Sequence, residues 1–373
     1  MTTFENALRA ANGRPSGFDY LRIALAIVVV VVHSIDTSYG WTVTDAYWAS
    51  LAAPLIRSVL PFFFALSGFL VAGSLETSKT IPGFLGLRVI RIYPALVVEV
   101  LLSALVIGPL LTTESLAAYF GSRQFQSYLL NMFGDVHFFL PGVFQHNPVP
   151  GYVNWQLWTV PYELACYLTL AGVAILARKQ LRLFVLIGAI TLMASGAGRE
   201  IFSSGITINE VSGPLTGGNL VVCFLAGVCL YLYRHHIPLS RAAFAGALVL
   251  TGVLLWKNQL GVYFVGFPAA YCVAFVGLSN PKRLSFLKGA DYSYGLFLYH
   301  FAVQQALMEL MPGSRHWWLN LPLTLALTTL LAALSWHLVE KPALRLRAPL
   351  KRLEAYLLLR LAAHRRPASD AAA

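Results

Sequence analysis

Two ionisable residues share one apolar segment near the start of the chain. Residues 18–38 read F-D-Y-L-R-I-A-L-A-I-V-V-V-V-V-H-S-I-D-T-S, with Arg22 near the beginning and His33 eleven positions later. Written as a helix, the segment separates the two side chains by about 16 Å along its axis and by about 1100° of rotation, close to three whole turns. Both therefore fall on nearly the same face. Ionisable groups within a hydrophobic span are costly to hold there and mark functional sites. An imidazole in that position is suited to act as a general base on a hydroxyl, or to accept a transferred group itself. Asp36, about one turn further on, is placed either to orient that imidazole and stabilise its charged form or simply to close the outer end of the helix.

A second group lies at G-F-L-G-L-R-V-I-R-I-Y-P, where Arg88 and Arg91 stand three apart and share a helix face. Paired guanidinium forks at a membrane boundary suit a phosphate-bearing ligand. A lone Arg-x-x-Arg would read as ordinary cytoplasmic charge, but here Ile-Tyr-Pro and a new apolar run follow at once and fix the geometry. Glu163, in N-W-Q-L-W-T-V-P-Y-E-L-A-C-Y-L, is a carboxyl inside an apolar run and requires a partner, Arg57 or a histidine. Trp155 and Trp158 in that stretch, and Tyr299 and His300 in S-Y-G-L-F-L-Y-H, are candidate substrate contacts. Ser67 and Gly68, in F-F-F-A-L-S-G-F-L, fit close helix approach. Glu340 closes the last apolar run, where arginines are available to it.

The elements that position these residues follow from composition. Hydrophobic residues make up 57% of the 373 and charged residues 12%, about half the charge of a soluble domain. The pattern predicts an all-α polytopic membrane protein. Hydropathy places about ten transmembrane helices at roughly 18–39, 52–75, 92–111, 154–177, 181–198, 217–233, 242–256, 261–279, 291–311 and 319–339. With both termini cytoplasmic, 22 of the 27 Lys and Arg fall on the inner side; only Arg57, Arg123, Arg199, Lys257 and Arg315 lie on or near the outer side. The net charge of +11 is thereby a topology signal rather than a nucleic-acid footprint. Cys166, Cys223, Cys229 and Cys272 all sit in apolar runs without metal or redox spacing and read as small buried hydrophobes. The first apolar run is too long for a cleavable signal.

Two stretches are not spans. Residues 112–153 form a long outer loop rich in aromatics, part of which, near 125–140, is expected as a short helix along the membrane surface; it reads as a lid or as a rim for sugar rings. After the membrane domain of residues 1–345, residues 346–373 alternate basic and apolar side chains and predict an amphipathic helix on the anionic inner leaflet, with 365–373 disordered. There is no internal repeat, phosphate-binding glycine loop or metal-ligand cluster.

Taken together, these motifs resemble the acyltransferase-3 family of integral membrane acyltransferases. The resemblance runs from Phe18 to about Arg345. It is carried by F-D-Y-L-R-I-A with His33, Phe62 to Leu70, Arg88/Arg91/Pro94, Gln156 to Glu163, Ser293 to His300, and Glu340 to Pro342. Gln156 stands where the family has Ser, Val-Pro-Tyr precedes Glu163, and Phe297 replaces a tyrosine. The resemblance implies an acyl-CoA co-substrate, usually acetyl-CoA, held on the cytoplasmic side of a bacterial inner membrane by Arg88 and Arg91. Arg22 would position that donor and His33 would act in transfer. The acceptor would be a glycan or a lipid-linked glycan, and L-P-G-V-F-Q-H-N-P is similar to exopolysaccharide-modifying members. A transporter or flippase is the alternative, since intramembrane Arg, Glu and His also build substrate pathways. Against it, no inverted repeat or pair of broken helices is visible.

Overall fold

The computed structural model describes residues 2–48, 50–204, 215–256, 260–284 and 290–364. Lys257, Lys288, Arg365 and Arg366, which enter the charge asymmetry, and the expected disordered end at 365–373 lie outside the described residues. Among those described the chain is helical, with no strand and only isolated bridges such as Phe139 to Tyr152. The main helices are α1 (Phe4–Ala10), α2 (Gly17–Tyr39), α3 (Ala53–Thr77), α4 (Ile81–Leu102), α5 (Val160–Leu176), α6 (Leu181–Ser204), α7 (Gly217–Leu232), α8 (Arg241–Leu255), α9 (Gly266–Gly277), α10 (Ser293–Leu310), α11 (Trp317–Ser335) and α12 (Arg347–His364).

Among the described residues six stretches are long and apolar enough to cross a membrane: Gly17–Tyr39, Ala53–Thr77, Ile81–Leu111, Trp155–Leu176, Leu181–Ser203 and Trp317–Arg360. The protein is thus multi-pass. The other helices differ for a physical reason. In α7 the residues from Leu220 to Leu232 are nearly all buried, and the helix is shorter than a full span. The middle of α10 is enclosed too, and it carries His300, Gln304 and Gln305. A helix surrounded by protein need not be apolar all round, because its neighbours satisfy its polar groups.

Local chemistry sets the helix ends. The Thr80 hydroxyl accepts from the Gly83 amide at 3.1 Å and starts α4, with proline in the first turn. Gly40 stops α2 at φ +82, a backbone region that side chains avoid, and an added Cβ would meet the Pro148 carbonyl at 2.9 Å. The closest helix crossing is reciprocal. A Cβ on Gly68 of α3 would lie 2.0 Å from the Phe224 carbonyl, and one on Gly227 of α7 would lie 2.0 Å from the Ala65 carbonyl. Small residues at these positions let the two backbones touch. All four cysteines are free and buried.

The 112–153 loop includes short helices at Leu116–Gly121 and Arg123–Tyr128 and a 3₁₀ turn at Leu129–Phe133. Its later part is tied to α10: Gln305 Nε2 donates to the Val149 and Tyr152 carbonyls, each at 2.7 Å, and Asn147 Nδ2 donates to the Gln305 carbonyl at 2.9 Å. The tail helix α12 packs on the start of α4, where Thr80 Oγ1 donates to Glu354 at 2.6 Å.

Candidate active site

The predicted residues gather in three groups along α2, α4 and α10. At the basic end, one carboxylate oxygen joins two arginines. Asp291 Oδ2 accepts from Arg22 Nη1 at 2.7 Å and from Arg91 Nη2 at 2.5 Å. Arg22 also donates to Asp19 at 2.8 Å, and Arg91 Nη1 faces Glu340 at 3.4 Å. Burial alone would raise the Asp291 carboxyl, but Arg91, Arg22 and the hydrogen bonds from Ser293 hold it well below the usual carboxylate range. The π turn Trp336–Glu340 that follows α11 brings Glu340 inward, where it is buried. The Ser335 hydroxyl donates to Glu340 at 3.2 Å and accepts from Tyr299 at 2.8 Å, so a polar chain runs from the arginines to α10.

Arg88 lies on the α5 side of this cluster. Its Nη2 donates to Ser74 Oγ at 2.9 Å, and its guanidinium sits 5.9 Å from the ring centres of Phe84 and Tyr167. The Tyr167 hydroxyl donates to Glu163. Glu163 therefore finds Tyr167 and the nearby charges of Arg88 and Arg91 rather than Arg57 or a histidine, which corrects the partner expected from sequence. Nε of Arg22 and Nε of Arg88 are buried without a hydrogen-bond partner among the described residues. Buried donors are normally satisfied, which sets these two apart within the cluster.

The third group lies deeper. His33 Nδ1 and His300 Nε2 are 2.8 Å apart, with the two rings nearly parallel at 13°. The edge of Phe301 packs on His33 at 5.3 Å. His300 has no exposed surface, whereas His33 remains partly accessible. One turn beyond, Gln304 Nε2 donates to the Val30 carbonyl at 2.9 Å and to Ser34 Oγ at 2.8 Å, which pins α10 against α2. Asn320 of α11 donates to Thr37 at 3.1 Å. Asp36 is buried one turn past His33.

The aromatic residues stand apart from this pair. Trp155 packs against Trp41, Tyr152 and Phe138 at 5.1–5.5 Å between ring centres, forming a cluster with the 112–153 loop. Trp158 packs on Tyr162 at 6.0 Å, and Tyr299 is buried against α11. No group of three or more His, Cys, Asp or Glu positioned for a metal occurs among the described residues. A cavity of about 970 Å³ opens beside Lys79, Lys179 and Arg182, and it is lined by none of the residues singled out from sequence.

Comparison with known proteins settles the family. The acyltransferase-3 profile, described as an acyltransferase domain, matches residues 16–339. The chain belongs to the acyltransferase-3 family. This acyltransferase is similar to nodulation protein 10 of Rhizobium leguminosarum bv. viciae, with 27% identity over 378 residues that cover 91% of the chain and 96% of the relative. It is also similar to an O-acetyl transferase of Shigella phage Sf6, with 26% identity over 344 residues, 89% of this chain and 97% of that protein. No solved structure matches it.

Sequence reasoning missed Asp291, Tyr167 and Gln304 in this acyltransferase. Asp291 stands two residues ahead of α10 and accepts from the Ser293 hydroxyl at 2.5 Å. An acid beside the S-Y-G-L-F-L-Y-H stretch, in a loop otherwise rich in Lys and Arg, was the available signal. Tyr167 could have been found as the residue one turn after Glu163 on a helix.

Proposed function

We propose that this acyltransferase moves an acetyl group from cytoplasmic acetyl-CoA to a hydroxyl of a cell-surface glycan or its lipid-linked precursor. Ten spans with both termini cytoplasmic, in a bacterial inner membrane, complete this reading. The observation that carries it is the arrangement along α2. An arginine–carboxylate cluster with two guanidinium Nε donors that lack a hydrogen-bond partner stands at one end, and a partly accessible imidazole stands about 16 Å further in.

In this reading Arg22, Arg88 and Arg91 hold the donor's phosphates. Arg91 already contacts Asp291 and Glu340, so the unpartnered Nε groups of Arg22 and Arg88 are the donors left for the phosphates once the donor enters. His33 Nε2 takes the proton of the acceptor hydroxyl as its oxygen bonds to the thioester carbonyl carbon. The tetrahedral oxyanion collapses, the carbon–sulfur bond breaks, and the thiolate of coenzyme A takes the proton from the imidazolium. Asp36 steadies the outer end of α2 near His33. Glu163 lies within electrostatic reach of Arg88 and Arg91, on the α5 side of the donor site. Trp155 and Trp158 offer ring faces to sugars, and Tyr299 joins the two ends of the site. The similarity to an O-acetyl transferase supports oxygen as the acceptor atom.

The test is coenzyme A release by purified protein given acetyl-CoA, with and without a glycan acceptor. Acceptor-dependent release with an ester on the glycan is the expected result. Transport of the glycan without release would reject the proposal.

A further inference from the structure

We propose that His300 is a positioning residue that fixes the tautomer of His33; this rests on the transfer role proposed for His33. His300 Nδ1 lies 2.8 Å from the Phe297 carbonyl and 3.2 Å from the Leu296 carbonyl. A carbonyl oxygen can only accept, so Nδ1 of His300 carries the proton. The Nε2 of a neutral His300 is then a bare lone pair. That lone pair faces His33 Nδ1 at 2.8 Å, so His33 must be the donor and must carry its proton on Nδ1. His33 Nε2 is left unprotonated, and no hydrogen bond engages it among the described residues.

Two backbone carbonyls thus decide, through one intervening ring, which nitrogen of His33 meets the substrate. The arrangement does the work of the carboxylate in a serine-protease triad, with a neutral acceptor in place of a charged one. When Nε2 takes the acceptor's proton, the imidazolium keeps its Nδ1–H on the His300 lone pair. His300 stays neutral throughout and exchanges no proton. Burial is consistent with this division of labour, because His300 has no exposed surface and His33 keeps some. The rings are also held in place: Phe301 packs on His33, and Gln304 locks the register of α10 on α2 through Val30 and Ser34. Without the His300 acceptor, His33 is free to carry its proton on Nε2, where it cannot act as a base.

The test reads the tautomer directly. Full-length protein labelled with ¹⁵N-histidine, in detergent or nanodiscs at neutral pH, is examined by NMR. The His33 signals are assigned by their loss in His33→Ala. The expected wild-type spectrum has His33 protonated at Nδ1 and bare at Nε2. In His300→Phe that preference is lost, kcat with acetyl-CoA falls about 100-fold, and KM for acetyl-CoA stays within about 2-fold. In His300→Gln the side-chain oxygen can accept from His33 while the amide donates to the carbonyls, and kcat recovers by about 10-fold over the phenylalanine variant. A wild-type His33 protonated at Nε2 overturns the proposal, as does a folded His300→Phe with unchanged kcat. If neither variant folds, the wild-type spectrum alone decides. Wild-type protein that shows the expected tautomer yet cleaves no acetyl-CoA rejects the transfer role and leaves the positioning assignment standing.

Discussion

Replacing Asp291 by asparagine separates the ionic part of the cluster from its shape. One oxygen of Asp291 receives Arg22 at 2.7 Å and Arg91 at 2.5 Å, tying α2 to α4 ahead of α10. Charge-assisted hydrogen bonds contribute about 1.5–3 kcal/mol each, and a carboxamide oxygen keeps part of both. The three side chains are 19–25% exposed. Solvent screening therefore lowers the effect below the roughly 3–5 kcal/mol typical of breaking a fully buried pair. A loss of about 2 kcal/mol is expected for Asp291→Asn. For a chain of this length that is a fall of about 3 °C in Tm. The sign with pH follows from the depressed carboxyl. Its contribution is complete above the unfolded value of about 3.9 and is lost as pH falls below it toward the folded pKa. Thermal unfolding in detergent, followed by intrinsic fluorescence from pH 7 to pH 3, should show the gap between wild type and variant narrowing below about pH 4. A gap that is absent at pH 7, or that stays constant down to pH 3, refutes the reasoning.

The packing makes two further predictions. Gly227→Ala places a methyl 2.0 Å from a backbone oxygen that no rotamer change can move, so a loss of at least about 1–3 kcal/mol and of monodisperse protein on size exclusion is expected. Gly172→Ala, with nothing within 4 Å, is the neutral control; equal behaviour of the two would contradict the close crossing. Gln305→Ala removes the donor for the Val149 and Tyr152 carbonyls, and each orphaned buried group costs about 1–3 kcal/mol. Hydrogen exchange should rise in residues 145–154 and stay unchanged in α2, whereas an unchanged loop would show that the anchor lies elsewhere.

Much of this architecture is legible in the amino-acid order because lipid-facing helices must be continuously apolar. The long segments around Arg22, Gly68 and Pro94 correspond to α2, α3 and α4 for that reason. Legibility fails where protein replaces lipid as the solvent. Ser293–Leu310 carries His300, Gln304 and Gln305 inside the bundle, and only three dimensions show which polar groups answer them. The Arg22–His33 face could be read from helical periodicity, but the pairing of His33 with His300 spans 267 positions and leaves no spacing signal. Glu163 shows the limit in part: Tyr167 lies one turn on along the same helix and could be read from periodicity, whereas the approach of Arg88 to Tyr167 depended on the packing of α5 against α4.

The account stands most directly on acyl transfer by His33→Ala. Purified variant and wild type, matched for fold by size exclusion, would be given acetyl-CoA and a glycan acceptor in a single turnover. The account predicts that the variant binds acetyl-CoA as wild type does while ester formation falls by about 10²-fold or more. Ester formation at the wild-type rate would contradict it.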